Sequence, residues 1–149
     1  MKVMVRQSTQ ADVDYLAANL REEDRLEVLA SHGDTKTALQ TGFDESEECW
    51  TFCVASTGEV AGMYGLGKID EITGMPWLLT APAIHKVWLP FLKGSKKWVK
   101  EANEKYKVLT NYCDEDYTVA VKWLQFVGFT FINKTKIGNK TFLEMVRIN

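Results

Sequence analysis

Between Cys49 and Thr80 the apolar residues alternate with a period of two, in three runs separated by turn signals. The runs are Trp50 to Ala55, Val60 to Leu66 and Pro76 to Thr80, and the breaks are Thr57-Gly58 and Asp70 to Gly74. Short strands joined by such turns pair with their sequence neighbours, so the segment reads as an antiparallel meander. Helical periodicity lies on both sides of it, which makes the chain a mixed α and β protein.

Ahead of the meander, residues 2–6 read as a first strand. Thr9 caps a helix with Val13, Leu16, Ala17 and Leu20 on its apolar face. A second helix, Glu22 to Ser31, is expected to bury Leu26, Leu29 and Ala30 and to stop at Gly33. Asp34 then caps a third, short one with Ala38, Leu39 and Phe43, ended by Gly42. Asp44, Glu45, Glu47 and Glu48 read as a solvated acidic connector.

After the meander, Ile84, Val87, Trp88, Phe91, Leu92, Trp98, Val99 and Ala102 recur with helical spacing, and Pro90 predicts a kink or a break into two helices. Val108 to Tyr112 is a strand, Tyr117 to Val127 an amphipathic helix capped by Gly128. Phe129 to Asn133 and Thr141 to Ile148 form a hairpin around Gly138-Asn139.

The chain has 149 residues, 46% hydrophobic and 26% charged, with no repeat and no linker-like stretch, so it is expected to fold as one domain over 1–149. No apolar run approaches the roughly 18 to 20 residues of a membrane span, and Met-Lys-Val-Met-Val-Arg lacks the pattern of a signal peptide. A cytoplasmic protein is expected. Cys49 and Cys53, four apart in an extended run, lie too far apart to bridge, and the only histidines, His32 and His85, give no metal-ligand spacing. Buried reduced thiols are expected for the three cysteines.

Net charge is −2, yet residues 1–75 carry 6 Lys/Arg against 14 Asp/Glu, and residues 76–149 carry 12 against 6. That near balance argues against a general nucleic-acid binder. Lys86, Lys93, Lys96, Lys97 and Lys100 fall within about ±60° on one helical wheel and form a basic stripe. The stripe is either a solvated face or a dock for phosphate or an acidic partner.

The element order, ending in Trp123-Leu124-Gln125-Phe126-Val127-Gly128-Phe129, resembles the GNAT superfamily of acyl-CoA-dependent N-acyltransferases and its aromatic-x-x-x-x-Gly-Phe signature. Nearly the whole chain is similar to a GNAT-like group encoded by tailed bacteriophages, which includes an internal virion protein family of short-tailed coliphages. The residues that carry this are Leu20 to Glu27 before Gly33, Pro76-Trp77-Leu78-Leu79-Thr80, Leu109-Thr110-Asn111-Tyr112, and Lys122 to Thr130. The resemblance implies a GNAT-like α/β (α+β) fold: a mixed, mostly antiparallel sheet of about six or seven strands with about four helices. It also implies a phage origin, a location in the host cytoplasm or on the virion, and acetyl-CoA as cofactor.

In that superfamily the fourth and fifth strands splay, pantetheine lies between them, and the pyrophosphate rests on a glycine-rich turn at a helix N-terminus. Carried onto this sequence, the cofactor-binding positions are Leu79, Thr80, Ala83, Lys86 and Asn111. The turn itself, Thr80-Ala81-Pro82-Ala83-Ile84-His85, has no glycine, and Pro82 removes an amide donor. Thr80 is left to cap the helix and Lys86 to reach a phosphate. The position where many members place a thiolate-protonating Tyr is Leu124, which has no proton to give. Tyr117, seven residues earlier, is the substitute acid, and the turn acids Asp70 and Glu71 are the candidate bases. Cys113 reads as a small buried hydrophobe rather than a nucleophile.

Two readings follow. With both landmarks altered, the favoured one is a phage GNAT-fold protein with a degraded acyl-CoA site that binds a virion or host protein or a second copy of itself. The other is an active acetyl-CoA-dependent N-acetyltransferase acting on a small-molecule or protein amine. The second requires the fourth and fifth strands to diverge into an open slot lined by Leu79, Asn111 and Tyr117.

Overall fold

The computed structural model describes all residues, 1–149. Strand β1 (Val3–Gln7) leads into helices α1 (Gln10–Asn19), α2 (Glu22–His32) and α3 (Thr35–Glu45). The meander is β2 (Glu48–Val54), β3 (Val60–Lys68) and β4 (Thr73–Thr80), followed by a short 3-10 turn at Pro82–Lys86 and helix α4 (Trp88–Lys105). Then come β5 (Val108–Asp114), α5 (Thr118–Phe126) and the hairpin β6 (Thr130–Ile137) and β7 (Lys140–Ile148). The seven strands form one sheet in the order β1-β2-β3-β4-β5-β7-β6. Every neighbouring pair is antiparallel except β4 and β5.

The local signals act as the sequence implies. Thr9 and Asp12 form a reciprocal capping box, with the Thr9 amide donating to Asp12 at 2.9 Å. Gly33 ends α2 at φ 79°, a left-handed conformation open to glycine without strain. The Asp34 carboxylate accepts from the amides of Lys36 and Thr37 and starts α3. Gly138 turns the final hairpin at φ 63°.

Four expectations are corrected. Gly42 does not end α3, which runs on to Glu45; a Cβ at Gly42 would stand 3.0 Å from the Trp77 ring, so the glycine brings the helix against that indole. Pro90 neither kinks nor breaks a helix. The break falls earlier, at Val87, and Pro90 sits in the first turn of α4, where its missing N–H has no helical partner to lose. Leu26 and Leu29 are exposed, and the inward face of α2 carries Asp24 and Val28 instead. The acidic connector is partly structural: Glu48 accepts from the Trp50 and Trp98 indoles at 3.0 and 2.7 Å, and Glu47 accepts from the Tyr106 hydroxyl.

Helices α1 and α3 cover one face of the sheet through Val13, Leu16, Leu39 and Met63. On the other face the 3-10 turn and α4 pack Ile84, Val87 and Phe91 on Phe52 and Val54. A larger cluster joins α4 and α5 to β5 and β7 through Val99, Leu109, Leu124 and Met145. The three cysteines are free thiols, two of them buried. No helix is long and apolar enough to cross a membrane.

The feature that positions the site is the junction of β4 and β5. Only Thr73 with Val108 and Gly74 with Leu109 are paired there. Beyond them the strands part, while each keeps its full ladder with its other neighbour.

Candidate active site

The parted strands open onto a cavity of about 520 Å³ that passes through the sheet. Trp88, Val119, Ala120, Trp123 and Leu124 line it on the side of α4 and α5. On the other side it is bounded by Asp24, Glu27 and Val28 of α2, by the small face of α3 (Ala38, Thr41 and Gly42), and by Trp77 and Leu79 of β4.

Asn111 marks where the ladder stops. Its Nδ2 donates to the Pro76 carbonyl at 2.7 Å, so a side chain spans a gap that the next backbone pair would otherwise close. Strand geometry then fixes which β4 backbone groups face the gap. The Pro76 carbonyl and the Thr80 amide both point to it, and Ala81 donates to the Ala61 carbonyl on the opposite side. By alternation, the Leu78 amide is the intervening donor aimed into the slot.

Asp24 is 4% exposed and its Oδ2 accepts from the Thr80 amide at 2.8 Å and from the Thr80 hydroxyl. Burial pushes its carboxyl above the usual range, opposed by these two donors and by the nearby Arg21 charge. One turn further along α2, Glu27 accepts from the Asp114 amide at 3.0 Å. Burial lifts Glu27 to about 7, with the charges of Asp24 and Asp114 adding to the rise and the Asp114 amide opposing it. Tyr117, the N-cap residue of α5, places its phenol beside Asp24. Burial, followed by that negative charge, holds the phenol well above its ordinary value, so it keeps its proton. Cys113 also lines the cavity, and burial raises its thiol in the same direction.

Of the residues singled out from sequence, Leu79, Thr80, Asn111 and Tyr117 meet on the cavity wall. The others do not. Glu71 is on the exposed β3–β4 turn, paired with Lys68 at 2.9 Å, and Asp70 beside it accepts from the Ile72 and Thr73 amides. Ala83 packs in the hydrophobic core with Phe52 and Phe91. Lys86 is paired with Glu59 at 3.0 Å. Asp24, Glu27 and the Leu78 amide were not singled out. The available signal was an i, i+3 pair of acids on the face of α2 opposite Leu26 and Leu29.

The slot fits a pantetheine thioester: it lies between the parted strands, is apolar at Trp88, Val119 and Leu124, and has the Leu78 backbone donor on its wall. The turn after β4 fits a nucleotide diphosphate poorly. The Thr80 amide is held by Asp24, the Ala81 amide by Ala61 and the Ile84 amide by Ala81; Pro82 has none, and Ala83 is 5% exposed. Three of the turn's amides are therefore spent within the protein and Pro82 offers none, which leaves fewer donors for a phosphate than a glycine-rich turn presents.

No family model matches the sequence, and no curated protein matches it at the sequence level. Solved structures match its fold over almost the whole chain. A GNAT-family acetyltransferase from Bacillus anthracis superposes with a TM-score of 0.72 at 10% identity, covering 99% of this chain and 95% of that one. A GCN5-related N-acetyltransferase from Kribbella flavida gives 0.71 at 16% identity, covering 99% and 98%. The aminoglycoside acetyltransferase AAC(6')-Ib, in complex with coenzyme A, gives 0.67 at 14% identity, covering 99% and 95%. With a seven-stranded, mostly antiparallel sheet parted between β4 and β5, the chain has the fold of the GNAT acetyltransferases.

Proposed function

We propose that this protein is an N-acyltransferase that moves an acyl group from a pantetheine thioester to an amine. One observation carries the reading: β4 and β5 diverge into an open slot with Leu79, Asn111 and Tyr117 on its wall. Side chains closing that slot would have counted against catalysis and for the competing reading of a binding protein with a degraded site.

The residues supply what the transfer needs. An acceptor arriving as ammonium passes a proton to the Glu27 carboxylate, which is basic enough near neutrality to take it. The freed nitrogen lone pair forms a bond to the thioester carbonyl carbon while the Leu78 amide donates to the oxygen that gains charge. As the carbon–sulfur bond breaks, sulfur leaves as thiolate and takes up the second proton lost by nitrogen, with the Tyr117 phenol at hand to relay it. The donor is acetyl-CoA or another thioester with the same arm. A role for the protein in a bacteriophage particle or an infected host would place this chemistry on a phage or host amine.

The test uses S-acetylpantetheine, the fragment common to all such donors, with a panel of primary amines. Thiol release that depends on amine and falls at least 100-fold in Glu27→Gln supports the reading. Release that ignores amine, or is unchanged in that variant, contradicts it.

A further inference from the structure

The donor side of the cavity opens between α4 and α5, and both helices present one continuous stripe there. On α4 the stripe is Leu89, Lys93, Lys96 and Lys100, at i, i+4, i+7 and i+11; on α5 it is Val119, Lys122 and Phe126, at i, i+3 and i+7. The two stripes adjoin, since the Lys96 ammonium stands 5.1 Å over the Phe126 ring. All seven residues are exposed, Leu89 at 71%, Val119 at 46% and Phe126 at 47%. Neither stripe contains an acid before Glu104, one turn past Lys100 at the C-terminal end of α4. Glu101 of α4 instead faces Lys97, off the stripe, at 4.0 Å. Val119 also lines the cavity, so the surface runs straight into the slot.

A free coenzyme would need its diphosphate held at the turn after β4, where the Thr80, Ala81 and Ile84 amides are used within the protein, Pro82 has none and Lys86 is paired with Glu59. The slot itself remains built for the arm. A donor that brings the arm without the nucleotide resolves the mismatch, and four lysines around three exposed apolar side chains suit an acidic surface with an apolar centre.

We propose that the acyl group is delivered on the phosphopantetheine arm of an acidic carrier protein, which docks on the α4–α5 face and threads its arm past Val119 into the slot. This rests on the acyltransferase reading of the same cleft. In the transfer, the acyl carbon–sulfur bond to the carrier's arm breaks as the carbon–nitrogen bond to the amine forms. The carrier departs with a free thiol.

The experiment compares three donors against the intact protein: a bacterial acyl carrier protein bearing an acetyl-phosphopantetheine arm, acetyl-CoA, and S-acetylpantetheine. Binding is read by tryptophan fluorescence, since Trp88 and Trp123 line the slot, and turnover by thiol release. The expected result is that the carrier protein binds at least 30-fold more tightly than acetyl-CoA. Its affinity should fall at least 10-fold in a Lys93→Glu, Lys96→Glu variant and in 0.5 M salt, with turnover of S-acetylpantetheine and the melting temperature unchanged. Acetyl-CoA binding as tightly as the carrier, or carrier affinity unaltered in the charge-reversed variant, overturns the proposal and leaves the acyltransferase reading standing. Failure of S-acetylpantetheine to turn over with any amine overturns both.

Discussion

Asp24 and Glu27, one helical turn apart on α2, hold opposite sides of the gap between β4 and β5. Asp24 takes the Thr80 amide at the end of β4 at 2.8 Å, and Glu27 takes the Asp114 amide at the end of β5 at 3.0 Å. The helix therefore braces the parted strands from the side where an amine would approach. Its two carboxylates differ in what they are free to do. Asp24 is committed to both donors of Thr80, whereas Glu27 has a single backbone donor and lines the cavity.

Glu27 should impose a pH dependence of definite sign. As a base it must be unprotonated, so the rate with S-acetylpantetheine should rise with pH through about 7 and level off above it. The groups around it are Asp24 on its own helix, Cys113 and Asp114 on β5, and Lys140 on β7. Glu27→Gln should remove that limb and lower the rate by about 10² to 10⁴.

The same group makes a stability prediction. Native Glu27 keeps its proton up to about 7 and the unfolded chain releases it near 4.5, so between those values the native state binds more protons and stability falls as pH rises. Glu27→Gln should consequently melt higher than the parent at pH 8, by a margin on the order of 2 kcal/mol, and lose that advantage at pH 4. Thermal unfolding at the two pH values decides it.

Asp24→Ala should cost about 2–4 kcal/mol, because it strands the buried amide and hydroxyl of Thr80. Asp24→Asn keeps an acceptor and should lose less. Urea unfolding of both variants gives the comparison, and equal losses would mean that charge rather than hydrogen bonding holds Thr80.

Tyr117→Phe removes the phenol and leaves the ring. The expected outcome is a 10- to 100-fold fall in kcat with little change in KM for the thioester, since the group acts as the bond breaks. Steady-state kinetics with an unchanged melting temperature would separate this role from packing at the head of α5.

Two glycines should respond in opposite directions to alanine. A Cβ on Gly65 would stand 2.7 Å from the Trp77 indole nitrogen and 2.8 Å from the Glu48 carbonyl, so Gly65→Ala should destabilise by about 1–3 kcal/mol and disturb the cavity wall. Gly94, inside α4, meets nothing within 4 Å, and Gly94→Ala should stabilise by about 0.5–1 kcal/mol. Chemical denaturation midpoints for the pair test both signs.

The fold was legible wherever one face of an element meets an ordinary core. The three short apolar runs of β2 to β4, which are covered on both faces, the Thr9 and Asp34 caps and the left-handed Gly33 all sit as their local chemistry requires. Helix α2 departs from this because its inward face carries Asp24 and Glu27 to the unpaired amides at the ends of β4 and β5. Placing apolar residues inside put Leu26 and Leu29 in the core, and the acids that occupy the inner face went without a role. Asn111 and Tyr117 were found through a family resemblance, which marks the cleft but not the direction from which α2 closes it. The parting of β4 and β5 has one local sign, Pro76, which lies two residues past the last pair and has no hydrogen on its gap-facing nitrogen. Farther along the gap, Asp24 and Glu27 of α2 supply acceptors to the Thr80 and Asp114 amides in place of ladder partners.

Two rungs join a four-stranded half of the sheet to a three-stranded half, with α4 lying across both. Such a joint is the narrowest in the sheet: the ladders on either side are complete, and only two pairs, with the helices packed across the seam, hold the halves together. Amide hydrogen exchange should therefore resolve the molecule into two cooperative units, with Thr73 to Thr80 exchanging more readily on its β5-facing side than on the side bonded to β3. A sheet joined this narrowly leaves its gap-facing amides to side-chain acceptors rather than to a neighbouring strand.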